Sequence, residues 1–399
     1  MIVSRRAAAV IVLTSAALAF LPCTARAAGF DIPVGQFRQY TSITAGLANA
    51  FSASKIKIDP GVYTECPTVT GLVLLQIVGK KGVVIDATGC DAGLTINDGE
   101  GITVKGLTIV GAKQGVVVKA AAERVLINKT TIQDSGSGVL ETGVRVESAP
   151  DVTLDKVTIL DAKLRGVQVL SAARTIVRKS TIAGGAGLGV LVDLGTSATI
   201  VKNTIFDLGA TGIAFAHSGG GGAADSLIAS NKISGVPGGI SVAGVNNVVE
   251  KNKLTDLTNV GIFALGPGGT STYRKNTIVR AALAGIRAAN GGDTFEKNTV
   301  KETSGNGLDV TGDANHFIGN KVTAATGTGV RVQASASGNI FEGTSASKAG
   351  TDGFLVQGTG NTFTKATASK SGGLDLNDPA GGATTNVYTD CKFKTSNVP

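Results

Sequence analysis

Nine lysines recur in this chain at a spacing that would line them up along one edge of a repeating fold. Lys129, Lys156, Lys179, Lys202, Lys251, Lys275 and Lys297 fall at the same point of successive units. Where Ser230 and Gly319 interrupt the row, Lys232 and Lys321 stand two residues later. If the units stack as turns of β-structure roughly 4.8 Å apart, the row becomes a ridge roughly 40 Å long. Such a ridge suits a linear polyanion, whose charges it would meet one after another. The alternative is a solvated edge that keeps the fold soluble and stops lateral strand pairing. Asp155, Glu250 and Glu296 lie beside the row and offset part of its charge, while Arg178 and Arg274 add to it.

A second constellation is Arg287, Asp309 and Arg331, at equivalent positions of three successive units. Two guanidinium groups would neutralise an acidic sugar while the carboxylate takes the neighbouring proton, which are the needs of a lyase. The alternative is a surface ion-pair ladder, Arg-Asp-Arg, of little energetic weight. His217 and Asp225, in a Gly-rich stretch, make an acid–base pair on paper; His316 beside Phe317 reads as a turn or surface residue. No acidic spacing matches a calcium loop, and Met1 is the only methionine available to a soft-metal site. No metal or cofactor is expected. With no Trp and four Tyr, a stacking platform for neutral sugars is not expected either.

The elements that would position these residues come from an internal repeat. Gly115, Gly143, Gly166, Gly189, Gly212, Gly239, Gly261, Gly285, Gly307, Gly329 and Gly353 open units of 22 to 28 residues, a period that belongs to solenoids. Gly-Val-Arg-Val at 143–146 and 329–332 and Gly-Ile-Ser-Val at 239–242 predict short strands. Their apolar side chains at the first and third positions after Gly face inward, and the residue between them faces out. A second strand per unit ends in forms such as Lys202-Asn203-Thr204-Ile205. Asn203, Asn231, Asn252, Asn276, Asn298 and Asn320 share one position and are expected to bond from rung to rung, satisfying turn polar groups. No unit holds a ten-residue helical pattern, which argues against a leucine-rich repeat, and no six-residue rhythm is present.

Ahead of the repeats, residues 41–51 predict a short amphipathic helix with Ile43, Leu47 and Phe51 on one face and Thr41 or Ser42 as N-cap. It would cover the open end of the stack. Lys55 to Ile58 alternate as a strand and stop at Asp59-Pro60-Gly61. Longer units around 133–142 and 217–225 mark surface loops.

Residues 1–27 read as a signal peptide: Arg5 and Arg6, an apolar run from Ala7 to Phe20, and Ala25-Arg26-Ala27 at the cleavage site. Residues 28–399 are then a single domain. The formal charge of +8 becomes milder once the three leader arginines are removed, a modest bias towards anionic partners. Cys66 and Cys90 lie one unit apart, within reach of a disulfide if the units stack, and export makes oxidation favourable; the alternative is buried thiols. Cys391 belongs at the far end and is expected to be unpaired.

The run Ile58-Asp59-Pro60-Gly61-Val62-Tyr63-Thr64-Glu65, followed by Val83-Val84-Ile85-Asp86-Ala87 and the Gly–apolar repeats, resembles secreted pectate-lyase-like right-handed parallel β-helix proteins. The resemblance runs from about residue 41 to the C-terminus. It implies an all-β fold, a single-stranded right-handed parallel β-helix (pectin-lyase-like solenoid) of about a dozen coils with a short N-terminal capping helix. The family includes polysaccharide lyases, hydrolases, esterases and epimerases. Their signatures are absent: there is no Asp-Asp pair, Gly-His-Gly or Arg-Ile-Lys of polygalacturonase type, no Arg-x-Pro-x-x-Arg, and Asp378-Pro379 is followed by Ala380 where mannuronan epimerases carry His. Fold does not fix function. The sequence is therefore read as an exported monomer, periplasmic or extracellular, with no membrane span and no specific nucleic-acid partner. It is expected to bind an acidic polysaccharide or other polyanion along the lysine ridge without catalysis. The alternatives are a polysaccharide lyase or other carbohydrate-active enzyme acting through Arg287, Asp309 and Arg331, and a structural surface solenoid with a protein partner.

Overall fold

The computed structural model describes residues 29–134, 136, 138–216, 222–266, 269–379 and 385–398. The leader at 1–27 and His217 lie outside the described residues.

The chain winds into a parallel β-helix with three sheets, one of 16 strands (sheet A) and two of 14 (sheets B and C). Each strand pairs in parallel with its equivalents one turn away. Strand Thr142–Glu147 of sheet C, for example, sits between Gln114–Glu123 and Arg165–Leu170, with Val144 opposite Val116 and Val167. A turn therefore holds three strands, not the two expected. The Lys-Asn dipeptide is not part of a strand. It is the corner between a sheet A strand such as Thr199–Val201 and a sheet B strand such as Thr204–Phe206. The stack also exceeds the expected dozen turns, because strands from Lys55 to Asp86 take part without the Gly signature.

Alternation fills the core. Val144 and Val146 are fully buried while Arg145 between them faces out. The opening glycines are required by close approach. A Cβ on Gly143 would lie 2.6 Å from the Gly166 carbonyl of the next turn and 2.5 Å from Ile159, so any side chain would push adjacent turns apart. In the later turns Tyr273, Phe295, Phe317, Phe341, Phe363 and Tyr388 stack inside sheet A with centroids 4.6–5.0 Å apart. Stacked pairs of this kind add about 0.5–1.5 kcal/mol each beyond burial.

The cap helix α1 spans Ile43–Ala48, with Ser42 as N-cap accepting from the Ala45 N–H at 3.1 Å. Ile43 and Leu47 are buried as expected, but Phe51 lies beyond the helix and is 72% exposed. The helix stops at Asn49, and the chain has already turned towards the strand Lys55–Ile58 when it reaches Phe51. A disulfide joins Cys66 to Cys90 across one turn, with Cα atoms 6.2 Å apart, and Cys391 is free in the last turn. His316 is a strand residue of sheet A, not a turn residue, with Nε2 3.2 Å from Glu342. Among the described residues no helix is long and apolar enough to cross a membrane.

Candidate functional site

The lysine row occupies the corner between sheets A and B. Lys129, Lys156, Lys179, Lys202, Lys251, Lys275 and Lys297 all have positive φ, between 48° and 58°. In other turns the same corner is Gly106, Ser230, Gly319 and Gly343. This left-handed conformation favours Gly, Asn or Asp, so turn geometry does not explain the choice of lysine. The backbone is held firmly: the N–H groups of Lys129, Lys156, Lys179 and Lys202 donate to the carbonyls of Asp155, Arg178, Val201 and Ala229 in the next turn at 3.0–3.2 Å.

The residue after each corner turns inward. From Asn203 to Asn320 it is the predicted asparagine ladder, fully buried and bonded from rung to rung at 2.9–3.0 Å. The next residue opens sheet B and faces out. Here stand Thr131, Thr158, Thr181 and Thr204, then Lys232, Lys253, Thr277, Thr299 and Lys321. The ridge is thus two adjacent columns: corner ammonium groups, and a rank of hydroxyls in which Lys232, Lys253 and Lys321 replace threonine. All nine predicted lysines are exposed. Lys253, opposite Lys232, and the corner residue Lys365 extend the set. Both were signalled by the same repeat position in the sequence.

Charge is uneven along the ridge. Lys251 meets Glu250 at 3.3 Å and Lys297 meets Glu296 at 2.8 Å, while Arg274 reaches Glu250 at 2.7 Å. Burial raises the Glu250 carboxyl, but hydrogen bonds from Arg274 and Lys251 outweigh it and hold it below the ordinary range. The hydrogen bond from Lys297 lowers Glu296 likewise. Among the described residues no acid lies within ion-pair reach of Lys129, Lys156, Lys179 or Lys202. Arg178 pairs with Asp155 at 3.1 Å beside them. Lys232, Lys253, Lys275 and Lys321 are also without an acid partner among the described residues, but the corners at Lys129, Lys156, Lys179 and Lys202 form the longest unbroken run of open positive charge. At roughly 4.8 Å in water neighbouring ammonium groups repel by under about 1 kcal/mol, and salt reduces this further.

Arg287, Asp309 and Arg331 are opposite one another on successive sheet C strands, as their spacing predicts. They are on a different face from the ridge. Asp309 is only 2% exposed; Arg287 Nε lies 3.1 Å from one of its oxygens and Gln333 donates to the other at 2.8 Å. Arg287 also sits over the Phe263 ring, 5.8 Å from its centroid. Among the described residues no group of three or more His, Cys, Asp or Glu is arranged to hold a metal ion.

The model of the right handed beta helix region matches residues 92–254 and 260–398. The chain belongs to this family. No curated protein sequence matches it. Solved structures share the β-helix fold at low identity. PfbA, a surface adhesin of Streptococcus pneumoniae, is 12% identical with a TM-score of 0.57, covering 69% of this chain and 84% of its own. A family 28 exopolygalacturonase of Yersinia enterocolitica is 11% identical with a TM-score of 0.55, covering 91% and 78%. A double mutant of the periplasmic alginate epimerase AlgG is 14% identical with a TM-score of 0.53, covering 81% and 84%. These likenesses establish the fold of this β-helix protein and not its chemistry.

Proposed function

We propose that this β-helix protein is exported and binds a linear acidic polysaccharide along the lysine corner, without cleaving it. The observation that carries this reading is the run Lys129, Lys156, Lys179 and Lys202: four successive left-handed corners hold a residue the backbone does not call for, with no acid against it. One ammonium and one threonine hydroxyl per turn suit a chain bearing one charge per sugar ring. Double-stranded DNA, with a charge every 1.7 Å or so, is far denser. A surface adhesin, a polygalacturonase and an alginate epimerase share the fold, in keeping with a glycan partner.

Reversing Lys129, Lys156, Lys179 and Lys202 to Glu is expected to lower affinity for polyuronate at least 100-fold. By the counterion-release relation, losing four contacts reduces the slope of log affinity against log salt by about 3. The reversal of Lys348 and Lys370, on other corners, serves as the control. Unchanged affinity in the fourfold variant sinks the ridge. The catalytic alternative at Arg287, Asp309 and Arg331 has less support, since both oxygens of the buried Asp309 already accept hydrogen bonds. Unsaturated uronate or new reducing ends in the same assay would restore it.

A further inference from the structure

A cavity of about 470 Å³ opens on the outer face of sheet C, away from the ridge. Gln114, Lys119, Arg145 and Glu147 line it, and the Cys66–Cys90 disulfide forms part of its wall. Gln114 Oε1 and Arg145 Nε are shielded from solvent yet have no hydrogen-bond partner. The same is true of Arg165 Nε and Gln168 Oε1 on the next strand, where Gln168 is the register neighbour of Arg145. Gln114 and Arg145 line the cavity, while Arg165 and Gln168 lie on the strand beyond it. An unpaired buried polar atom is costly, and native folds keep few of them. Arg145 Nε lies 2.5 Å from Glu147, so these charges compensate while the Arg145 N–H remains unaligned with any acceptor.

We infer that this pocket is a second binding site, for a small hydroxylated carboxylate the size of one sugar acid. The volume lies in the range of ligand pockets. Asp91 at the rim pairs with Lys113 at 2.8 Å and Arg145 with Glu147, which leaves Lys119 as the lining charge with no acid partner among the described residues. Arg145 and Lys119 supply the donors a carboxylate takes. The Gln114 carbonyl oxygen and the Glu147 carboxylate accept from ring hydroxyls. No aromatic lines the cavity, which leaves recognition to polar contacts. The disulfide fixes the wall before the ligand arrives. This inference does not depend on the ridge.

The test is titration of the full protein with glucuronate, followed by ligand-detected NMR and calorimetry, with glucose and acetate as controls. Saturable glucuronate binding is expected, with both controls at least about tenfold weaker. Arg145→Ala is expected to weaken it at least about tenfold, and the fourfold ridge reversal to leave it unchanged. Gln114→Leu provides the same test if circular dichroism shows that Arg145→Ala disturbs the fold. Absence of saturable binding to the unmodified protein overturns the proposal, as does undiminished binding in both pocket variants. Loss on ridge reversal instead would also overturn it, by assigning glucuronate to the ridge.

Discussion

Replacing Asn252 by leucine is expected to destabilise the β-helix by about 4 kcal/mol or more, although the two side chains are similar in size. Asn252 is 1% exposed and serves both neighbouring turns. Its Oδ1 accepts from the backbone N–H of Asn231 at 2.9 Å and from the Asn231 amide at 3.0 Å. Its own amide donates to the Ile228 carbonyl at 2.9 Å and to Asn276 at 3.0 Å. Leucine removes all four side-chain bonds and leaves at least two donors of Asn231 without an acceptor inside the protein. At about 1–3 kcal/mol for each orphaned group, the sum far exceeds what the added apolar contact returns. The damage should also be local in a way peculiar to a solenoid. Each turn touches only its neighbours, so a broken rung weakens the coupling between the turns on either side. Urea unfolding is expected to split into two transitions, and amide exchange to speed up first in strands Leu227–Ala229 and Val248–Glu250. A loss below about 1 kcal/mol with a single transition would show that the ladder is not a structural spine.

The asparagine ladder was legible because one residue type recurs at one repeat position. The same holds for the lysine corner and for the register of Arg287, Asp309 and Arg331. What the repeat did not reveal is how corners divide a turn. The strands flanking Lys202 are three residues each, too short for alternation to show their ends, so a left-handed corner passed for the end of a single strand. A second ladder, from Ser226 through Asn247, Ser271, Asp293, Asn315, Asn339 and Asn361 to Asn386, was hidden for another reason. Serine, aspartate and asparagine all offer the same acceptor oxygen to the preceding turn, so geometry is conserved along the stack while residue type is not. The burial of Asp309 was equally unreadable. Its outward direction follows from alternation, but its cover comes from the Arg287 and Gln333 side chains of adjacent turns. Phe51 fits the helical pattern of Ile43 and Leu47, yet the helix is only six residues long.

That second ladder contains its own weak rung. Asp293 Oδ1 accepts from the Ser271 N–H at 2.9 Å, but Asp293 Oδ2 is buried with no hydrogen-bond partner among the described residues. Asn247 and Asn315 have an amide at that point, which donates to the Ala223 and Asn290 carbonyls at 2.8 Å. Burial pushes the Asp293 carboxyl up to about 6, and the Ser271 backbone, the nearby Asn290 side chain and the Thr270 backbone offset only part of this. The neighbouring Tyr273 hydroxyl, itself raised by burial, stays neutral throughout this range. The sign follows directly. In the unfolded chain the carboxyl ionises near 3.9, so its favourable contribution is complete below that pH and is lost as pH rises through about 6. Above about pH 6 the fold carries a buried charge costing about 3 kcal/mol, from roughly two pH units at 1.36 kcal/mol each. Asp293→Asn removes the charge and supplies the missing donor. It is expected to raise stability by up to about 3 kcal/mol at about pH 7.5 and by little at about pH 4. Urea unfolding of both proteins at the two pH values measures the difference, in which every other carboxylate cancels. An equal gain at both would assign the effect to the amide hydrogen bond alone, and a loss at the higher pH would mean that the Asp293 carboxylate has a partner that holds it ionised.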